Sequence, residues 1–191
     1  RWHNDDKITI HNGTAGFEFA TSEADVTNDG ATARFTYVGN DFSGEEFMAV
    51  YPAGACTDAD VATKTVNVNI PKWQQAEDGS FPKNAAVAVA YTDDNTLKFK
   101  NAAALLKFTM NMDDVTHVYF KGNNGETVVG EVKVTINDSK PSVVCLEEED
   151  CKIAECYVYE GTFTKGTTYY MAVAPGIGTI DKENGILIAA G

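Results

Sequence analysis

Apolar and polar residues alternate one by one in two segments of the chain, the pattern of a β-strand with one buried face. These segments are residues 65–70 and residues 131–136, and the alternation is unbroken in both. Successive side chains of a strand point to opposite faces, so each segment has one face for a core and one for water. Residues 86–91 are apolar on both faces instead, and we expect them to lie in the interior of a sheet.

Short strand-like runs recur along the whole chain, separated by turn signals such as Asn12-Gly13 and Asp29-Gly30. No long segment has the 3.6-residue period of a helix, so we expect helix in less than about a tenth of the residues. The predicted strands are residues 7–10, 33–38, 47–51, 65–70, 86–91, 105–110, 115–120, 128–136, 142–146, 152–159 and 168–174.

The segment 97–110 combines two patterns. Leu106, Phe108 and Met110 alternate with Lys107 and Thr109, as in a strand. The Ala102-Ala103-Ala104 run before them has no β-branched residue and predicts a tight crossing or a turn of helix. We interpret this segment as the seam between two sheet systems.

Many short strands with frequent turns favour β-sandwiches over a barrel. A chain of 191 residues accommodates two such units. We therefore expect an all-β protein with an N-terminal sandwich over residues 1–95 and a C-terminal sandwich over residues 96–191. The residues expected in the core are Val87, Val89, Leu106, Phe108, Val132, Val134, Ile136, Met171 and Val173.

The charge of the chain is strongly acidic, with 28 Asp and Glu against 15 Lys and Arg and a net charge of −13. Such a field repels phosphate backbones and anionic lipids, so we expect no nucleic-acid partner. No apolar run approaches the roughly 18 residues needed to span a bilayer. The sequence opens on Arg1 without a leader and ends on an apolar run, and we expect both ends to be trimmed from a longer precursor.

Four cysteines allow disulfides without fixing their pairing: Cys56, Cys145, Cys151 and Cys156. Their spacing contains no C-x2-C knuckle and no nearby histidine, which argues against zinc. If the segment from Cys151 to Cys156 is extended, those two lie too far apart to bond. A bond from Cys145 to either of them is favoured, and four reduced thiols are the alternative.

No group of residues has the pattern of a catalytic or metal site. His3, His11 and His117 lie near a terminus, beside a turn and on the outer face of a predicted strand. The sequence has no nucleophile elbow and no phosphate-binding loop. The acidic clusters lack the EF-hand order, and most lie in predicted turns. We expect no enzyme, no metal and no cofactor.

Trp73 is the best candidate for a ligand contact. It lies in the segment Pro71-Lys-Trp-Gln-Gln75, a predicted loop after a strand. An exposed indole there is a candidate contact for a sugar ring. The structural alternative is a loop aromatic that caps the end of a sandwich.

Several short motifs occur in order along most of the chain. They are Trp2 with Asp6-Lys-Ile8, Phe47-Met-Ala-Val-Tyr-Pro52, Ile70-Pro71 with Gln74, Val89-Ala90, Phe99-Lys-Asn-Ala-Ala-Ala-Leu-Leu-Lys-Phe108, and Gly166-Thr-Thr-Tyr-Tyr-Met-Ala-Val-Ala-Pro175. This order resembles the fimbrillin-like proteins of Bacteroides and related bacteria, which are subunits and accessory adhesins of pili.

The resemblance implies two tandem transthyretin-like (Greek-key) β-sandwiches joined near Phe99. It also implies export, often with a lipid anchor on the precursor, and assembly by donation of a strand to a neighbour's groove. The family has no catalytic residues. This chain departs from the family pattern in two places: the lipidated cysteine and the opening strands of the N-terminal domain are absent, and the part after Pro175 is short.

We therefore predict a structural or adhesive subunit of a bacterial surface pilus, at the outer-membrane surface or in the fimbria, with other pilus subunits as partners. Ile186, Leu187 and Ile188 form the candidate donor strand, because the unpaired backbone of a free strand recruits a partner. The alternative is a cell-surface module that uses Trp73 and neighbouring aromatics to bind a host or bacterial glycan.

Overall fold

The computed structural model describes residues 1–82, 84–122, 126–137, 141–146, 152–153, 155–159, 161–175 and 186–190. These residues form an all-β protein, as the sequence predicts, and their only helical element is a 3-10 turn at Glu23–Asp25. The strands are β1 (Lys7–His11), β2 (Gly16–Ala20), β3 (Val26–Thr27), β4 (Thr32–Ala33), β5 (Phe47–Tyr51), β6 (Cys56–Asp60), β7 (Thr65–Ile70), β8 (Trp73–Gln75), β9 (Ala88–Thr92), β10 (Lys100–Asn101), β11 (Ala104–Thr109), β12 (His117–Gly122), β13 (Val129–Thr135), β14 (Ser142–Cys145), β15 (Lys152–Ile153), β16 (Glu155–Tyr159), β17 (Thr168–Val173) and β18 (Ile186–Ala190).

The strands form three larger sheets and two separate pairs. Sheet 1 has the order β10-β9-β5-β1-β2, sheet 2 the order β14-β13-β7-β6 with β15 also beside β13, and sheet 3 the order β18-β12-β16-β8. The pairs are β11–β17 and β3–β4. Among the described pairings only that of β8 with β16 is parallel. Several antiparallel sheets packed face to face are the architecture of a β-sandwich.

Two neighbouring interior strands of sheet 1, β5 and β9, are buried on both faces. In β5, Met48 and Val50 pack into a large core, whereas Phe47 and Ala49 pack into a smaller one on the opposite face. The neighbouring strand β9 divides its side chains in the same way. The sequence predicted that residues 86–91, which are apolar on both faces, lie in the interior of a sheet. This prediction is confirmed, since β9 is paired with β5 on one side and with β10 on the other.

The large core draws on strands from both halves of the chain. Val68 of β7 lies directly opposite Val132 of β13, and both are fully buried. Val158 of β16 belongs to the same core, and its strand is paired with β8. The predicted boundary at residue 95 therefore does not coincide with a break in hydrogen bonding, because β7 and β8 are paired with strands that follow it.

The predicted strand bounds match the structure for residues 47–51 and 65–70, most other predicted strands are shifted by one or more residues, and β2, β6 and β8 were not predicted. Of the predicted strand 33–38 only Ala33 lies in a strand, β4, and an isolated bridge between Ala20 and Thr36 follows. The Ala102-Ala103-Ala104 run forms the tight crossing between β10 and β11 and not the alternative, a turn of helix, because β11 already begins at Ala104. Pairing of β11 with β17 outweighs the helix propensity of the alanine run.

Most of the predicted core is confirmed by the burial of the side chains. Leu106, Phe108 and Ile136 are only partly buried and pack against the large core from its margin. The fully buried members of the predicted set are Val87, Val89, Val132, Val134, Met171 and Val173.

A buried glutamine joins sheet 3 to the β11–β17 pair. Gln74 has no exposed surface, and its amide matches the backbone of Ala172 in β17. The Ala172 N–H donates to Gln74 Oε1 at 2.8 Å, and Gln74 Nε2 donates to the Ala172 carbonyl oxygen at 2.6 Å. Gln74 Nε2 also donates to the Pro71 carbonyl oxygen at 3.0 Å. The side chain thus takes the place of a neighbouring strand at this point of β17.

Replacing Gln74 with Leu is expected to lower the free energy of unfolding by roughly 2–5 kcal/mol, because the buried N–H and C=O of Ala172 lose their partner. The matched control is Gln75→Leu on the exposed neighbour, with an expected change within about 0.5 kcal/mol. Urea unfolding of both variants measures the difference. Equal losses in the two variants would contradict the bridging role.

Candidate binding site

Trp73 lies on a strand, not in the loop that the sequence predicted. It is the first residue of β8, the outermost strand of sheet 3, and 57% of its surface is exposed. Register places it directly beside Tyr157 of β16, which in turn lies beside Tyr119 of β12. The short parallel pairing of β8 with β16 thus aligns three aromatic residues across three strands.

The three rings stack on one another in a ladder. The ring centroids of Trp73 and Tyr157 are 4.4 Å apart at an interplanar angle of 22°, and those of Tyr157 and Tyr119 are 5.1 Å apart at 29°. These separations match the spacing between strands, so the rings stand on the sheet and face one another. Tyr157 has both faces covered. The face of Trp73 that points away from Tyr157 is the one available to a ligand.

A row of three charged side chains, Lys72, Glu155 and Lys121, lies beside the ladder. The Glu155 carboxylate accepts from Lys121 Nζ at 3.1 Å and from Lys72 Nζ at 3.2 Å. These hydrogen bonds lower the pKa of the Glu155 carboxyl below its ordinary value, and the bond to Glu155 raises the pKa of the Lys121 ammonium. Lys72 Nζ also lies 5.4 Å from the centroid of the Tyr157 ring. The exposed indole therefore has ionised hydrogen-bonding groups near it.

The outer edge of β8 is closed by a side chain. Asn84 Nδ2 donates to the Trp73 carbonyl oxygen at 2.8 Å, and the Gln75 N–H donates to Asn84 Oδ1 at 3.0 Å. This pair of bonds reproduces the pattern that a further strand would make. Asn84 thereby fixes the backbone that carries Trp73. It also occupies the edge of β8 at which a strand of another chain would pair.

The candidate donor strand lies at the opposite edge of the same sheet. Residues Ile186–Ala190 form β18, which pairs with β12 of its own chain over five positions from Val118–Ala190 to Gly122–Ile186. No described strand lies on the other side of β18. Ile186, Leu187 and Ile188 are therefore held by a single neighbour.

A second concave site, which the sequence did not indicate, lies at the smaller core of sheet 1. It is a cavity of about 550 Å³ that is partly open to solvent. Six of its lining residues are aromatic, and Arg34, which is exposed, is also in the lining. The signal in the sequence was the density of aromatics between Phe17 and Phe47, but only their contacts show that they surround a space.

The histidines and acidic residues do not form a catalytic arrangement in the described part of the chain. His117 is exposed, with Nδ1 3.3 Å from Thr116 Oγ1. Asp113 binds Lys165 Nζ at 2.6 Å instead of meeting that histidine. Across the described ranges no group of three or more His, Cys, Asp and Glu side chains is placed to hold a metal ion.

The described cysteines narrow the disulfide alternatives. Cys56 and Cys156 carry free thiols, so the predicted bond between Cys145 and Cys156 is not formed. Burial raises the pKa of the Cys156 thiol to about 12 and that of Cys56 to about 11. Cys151, the other predicted partner of Cys145, lies outside the described residues.

Comparisons with protein-family models, with curated proteins and with solved structures gave no match. The described residues contain no helix with the length and apolarity needed to cross a membrane.

His11 is the histidine with the most constrained surroundings. It lies on β1, its ring fills the space beside Gly16, and its Nε2 atom is buried without a hydrogen-bond partner. Burial lowers the pKa of its imidazole below the ordinary value of 6.5, against a weaker opposing effect of the Asp58 carboxylate. The folded protein thus favours the neutral ring.

As the pH falls through about 6.5, the unfolded chain binds a proton at His11 before the folded chain does, so the free energy of unfolding is expected to decrease. His11→Gln removes this part of the pH dependence, whereas His117→Gln, on the exposed histidine, retains it. Urea unfolding between about pH 7.5 and 5.5 measures both slopes. A His11→Gln variant with the parental slope would show that this ring does not carry the effect.

Proposed function

We propose that this chain is a non-catalytic structural or adhesive subunit of a bacterial surface pilus that associates by strand donation. It would act outside the cell, at the outer-membrane surface or in the fimbria, with other pilus subunits as partners and a lipid anchor on its precursor. The order of short motifs resembling fimbrillin-like proteins supports this proposal, as does the all-β fold.

The transthyretin-like pair of sandwiches belongs to the same proposal. The first unit would be sheet 1 with its aromatic cover, and the second would be sheets 2 and 3 with the β11–β17 pair. The chain would then pass between the units more than once, because β6, β7 and β8 precede β9 in sequence but belong to the second unit. The last crossing would lie between β10 and β11, after the predicted boundary at residue 95, because β10 still pairs with β9 in sheet 1.

The observation that carries the proposal is the position of β18. An apolar strand at the edge of a sheet, paired on one side only, is the kind of element that two copies of a chain exchange at low cost. The same backbone bonds to β12 form whether β18 comes from its own chain or from a neighbour. Since Asn84 closes the other edge of the sheet, exchange is directed to this side.

A cysteine pair that locks β18 to its own chain tests strand donation. Lys121 and Leu187 are register partners, so oxidised Lys121→Cys/Leu187→Cys is expected to hold β18 on β12. After refolding at high protein concentration, the parent chain should form oligomers and the oxidised variant should remain monomeric, as measured by light scattering on a sizing column. Reduction should restore association, because it releases the strand.

The matched control is Thr109→Cys/Thr168→Cys, which cross-links β11 to β17 without touching β18. It should form oligomers in both redox states. Peptide mapping verifies both cross-links against the natural cysteines. Strand donation by β18 fails if the parent remains monomeric or if the locked variant forms oligomers as readily as the parent.

Glycan binding is a second candidate, favoured by the free face of Trp73. A sugar presents polarised C–H groups that pack on an aromatic face. The charged side chains of Lys72, Glu155 and Lys121 would form hydrogen bonds with its hydroxyl groups. The ladder behind the indole keeps this face in one orientation. The three rings stack on one another, so only the outer face of Trp73 is available to a ligand. The contact would therefore involve a single sugar unit.

Trp73→Ala should weaken binding of a glycan selected on an array by roughly tenfold or more, as expected for loss of an aromatic anchor. Titration calorimetry measures the change, and Phe81→Ala, at an aromatic that is 40% exposed, is the control with unchanged affinity expected. Absence of any array signal, or equal affinities of the two variants, would exclude this site.

A further inference from the structure

The cavity beside sheet 1 has walls that hold their shape. Trp2 packs edge to face against Phe35 and Phe99, at centroid distances of 4.9 and 5.2 Å. Phe42 stacks on Phe47 at 4.9 Å and packs edge to face on Phe19 at the same distance. Rings fixed by such contacts do not collapse readily into the space between them. The cavity of about 550 Å³ is therefore of a size and composition suited to a small apolar molecule.

The charge around the cavity is unusual for this protein. None of the acidic residues in the described ranges lines it, although the chain as a whole carries a net charge of −13. Among the described residues, Arg34 is the single charged one in the lining. Its guanidinium forms no ion pair with any acid of the described ranges. An exposed arginine in the lining of a cavity that contains six aromatic residues favours a ligand with one anionic end.

We propose that this cavity binds an amphipathic organic anion, a molecule with an apolar chain and a terminal carboxylate such as a medium-chain fatty acid. The chain packs among the rings of Phe19, Phe35 and Phe42, and the carboxylate accepts hydrogen bonds from the Arg34 guanidinium. The cavity lies on sheet 1, whereas β18 lies on sheet 3, so this site does not depend on strand donation.

Trp2 provides a direct optical probe of binding. The chain has two tryptophans, and Trp73→Phe leaves Trp2, which lines the cavity, as the only one. Titration of this variant with dodecanoate, below its micellar concentration, should change Trp2 fluorescence in a saturable way with one site per chain. Dodecanol, which has the same chain without the charge, should bind roughly tenfold or more weakly, because it cannot form the charge-assisted bonds to Arg34.

Two substitutions in the same background separate the charge from the cavity. Arg34→Gln should weaken dodecanoate binding roughly tenfold and leave dodecanol unchanged. Lys98→Gln is the matched control, since it removes one positive charge next to two lining residues, Leu97 and Phe99, but does not line the cavity itself. Ala33→Phe, which fills the cavity from β4, should abolish binding of both molecules. Urea unfolding verifies that each variant is folded.

The outcomes are decisive in each direction. Selective loss in Arg34→Gln together with loss in Ala33→Phe supports the site. Equal binding of dodecanoate and dodecanol would overturn it and leave a purely apolar groove, suited to a segment of another chain. Non-saturating binding, or binding that Ala33→Phe does not affect, would also overturn it, because the molecule would then associate with other apolar surface.

Discussion

Burial of both faces of β5 and β9 is the constraint on which the rest of the architecture depends. A strand that is apolar on both sides requires a layer on each side, because either face left in water would forfeit the free energy of burial. Sheets 2 and 3 supply one layer. The aromatic cluster around Trp2 and Phe42 supplies the other, and it does so without a complete sheet, which leaves room for the cavity.

The layer that contains sheet 3 is held together by polar as well as apolar contacts. Gln74 uses its amide as a piece of backbone and ties β8 to β17, two strands that are far apart in sequence. The same short strand positions Trp73 against Tyr157 and is closed on its outer edge by Asn84. Gln74 of β8 thus lies in the core, Trp73 on the surface and Gln75 at the edge that Asn84 closes. The position of the exposed indole is therefore fixed by the packing of this strand.

Local pattern was sufficient to predict the buried strands and insufficient for the edges. Residues 47–51 and 65–70 carry their own signal, since their apolar side chains are dictated by the core. Strand β6 reads Cys-Thr-Asp-Ala-Asp and β8 has three residues, so neither has a periodicity that a sequence reveals. Their pairing comes from neighbours elsewhere in the chain. The ladder on Trp73 and the position of Arg34 beside the cavity depend on register and packing, which the sequence does not encode locally.

The closed edge of β8 depends on the side-chain amide of one residue, Asn84. Hydrolysis of its amide would replace the Nδ2 donor with a carboxylate oxygen facing the Trp73 carbonyl, and two acceptors repel each other. The edge of β8 would then lose its cap and become a template for other strands, with Trp73 at its entrance. Loss of a single side-chain amide would therefore leave both edges of sheet 3, β18 and β8, without a neighbour among the described strands on their outer sides.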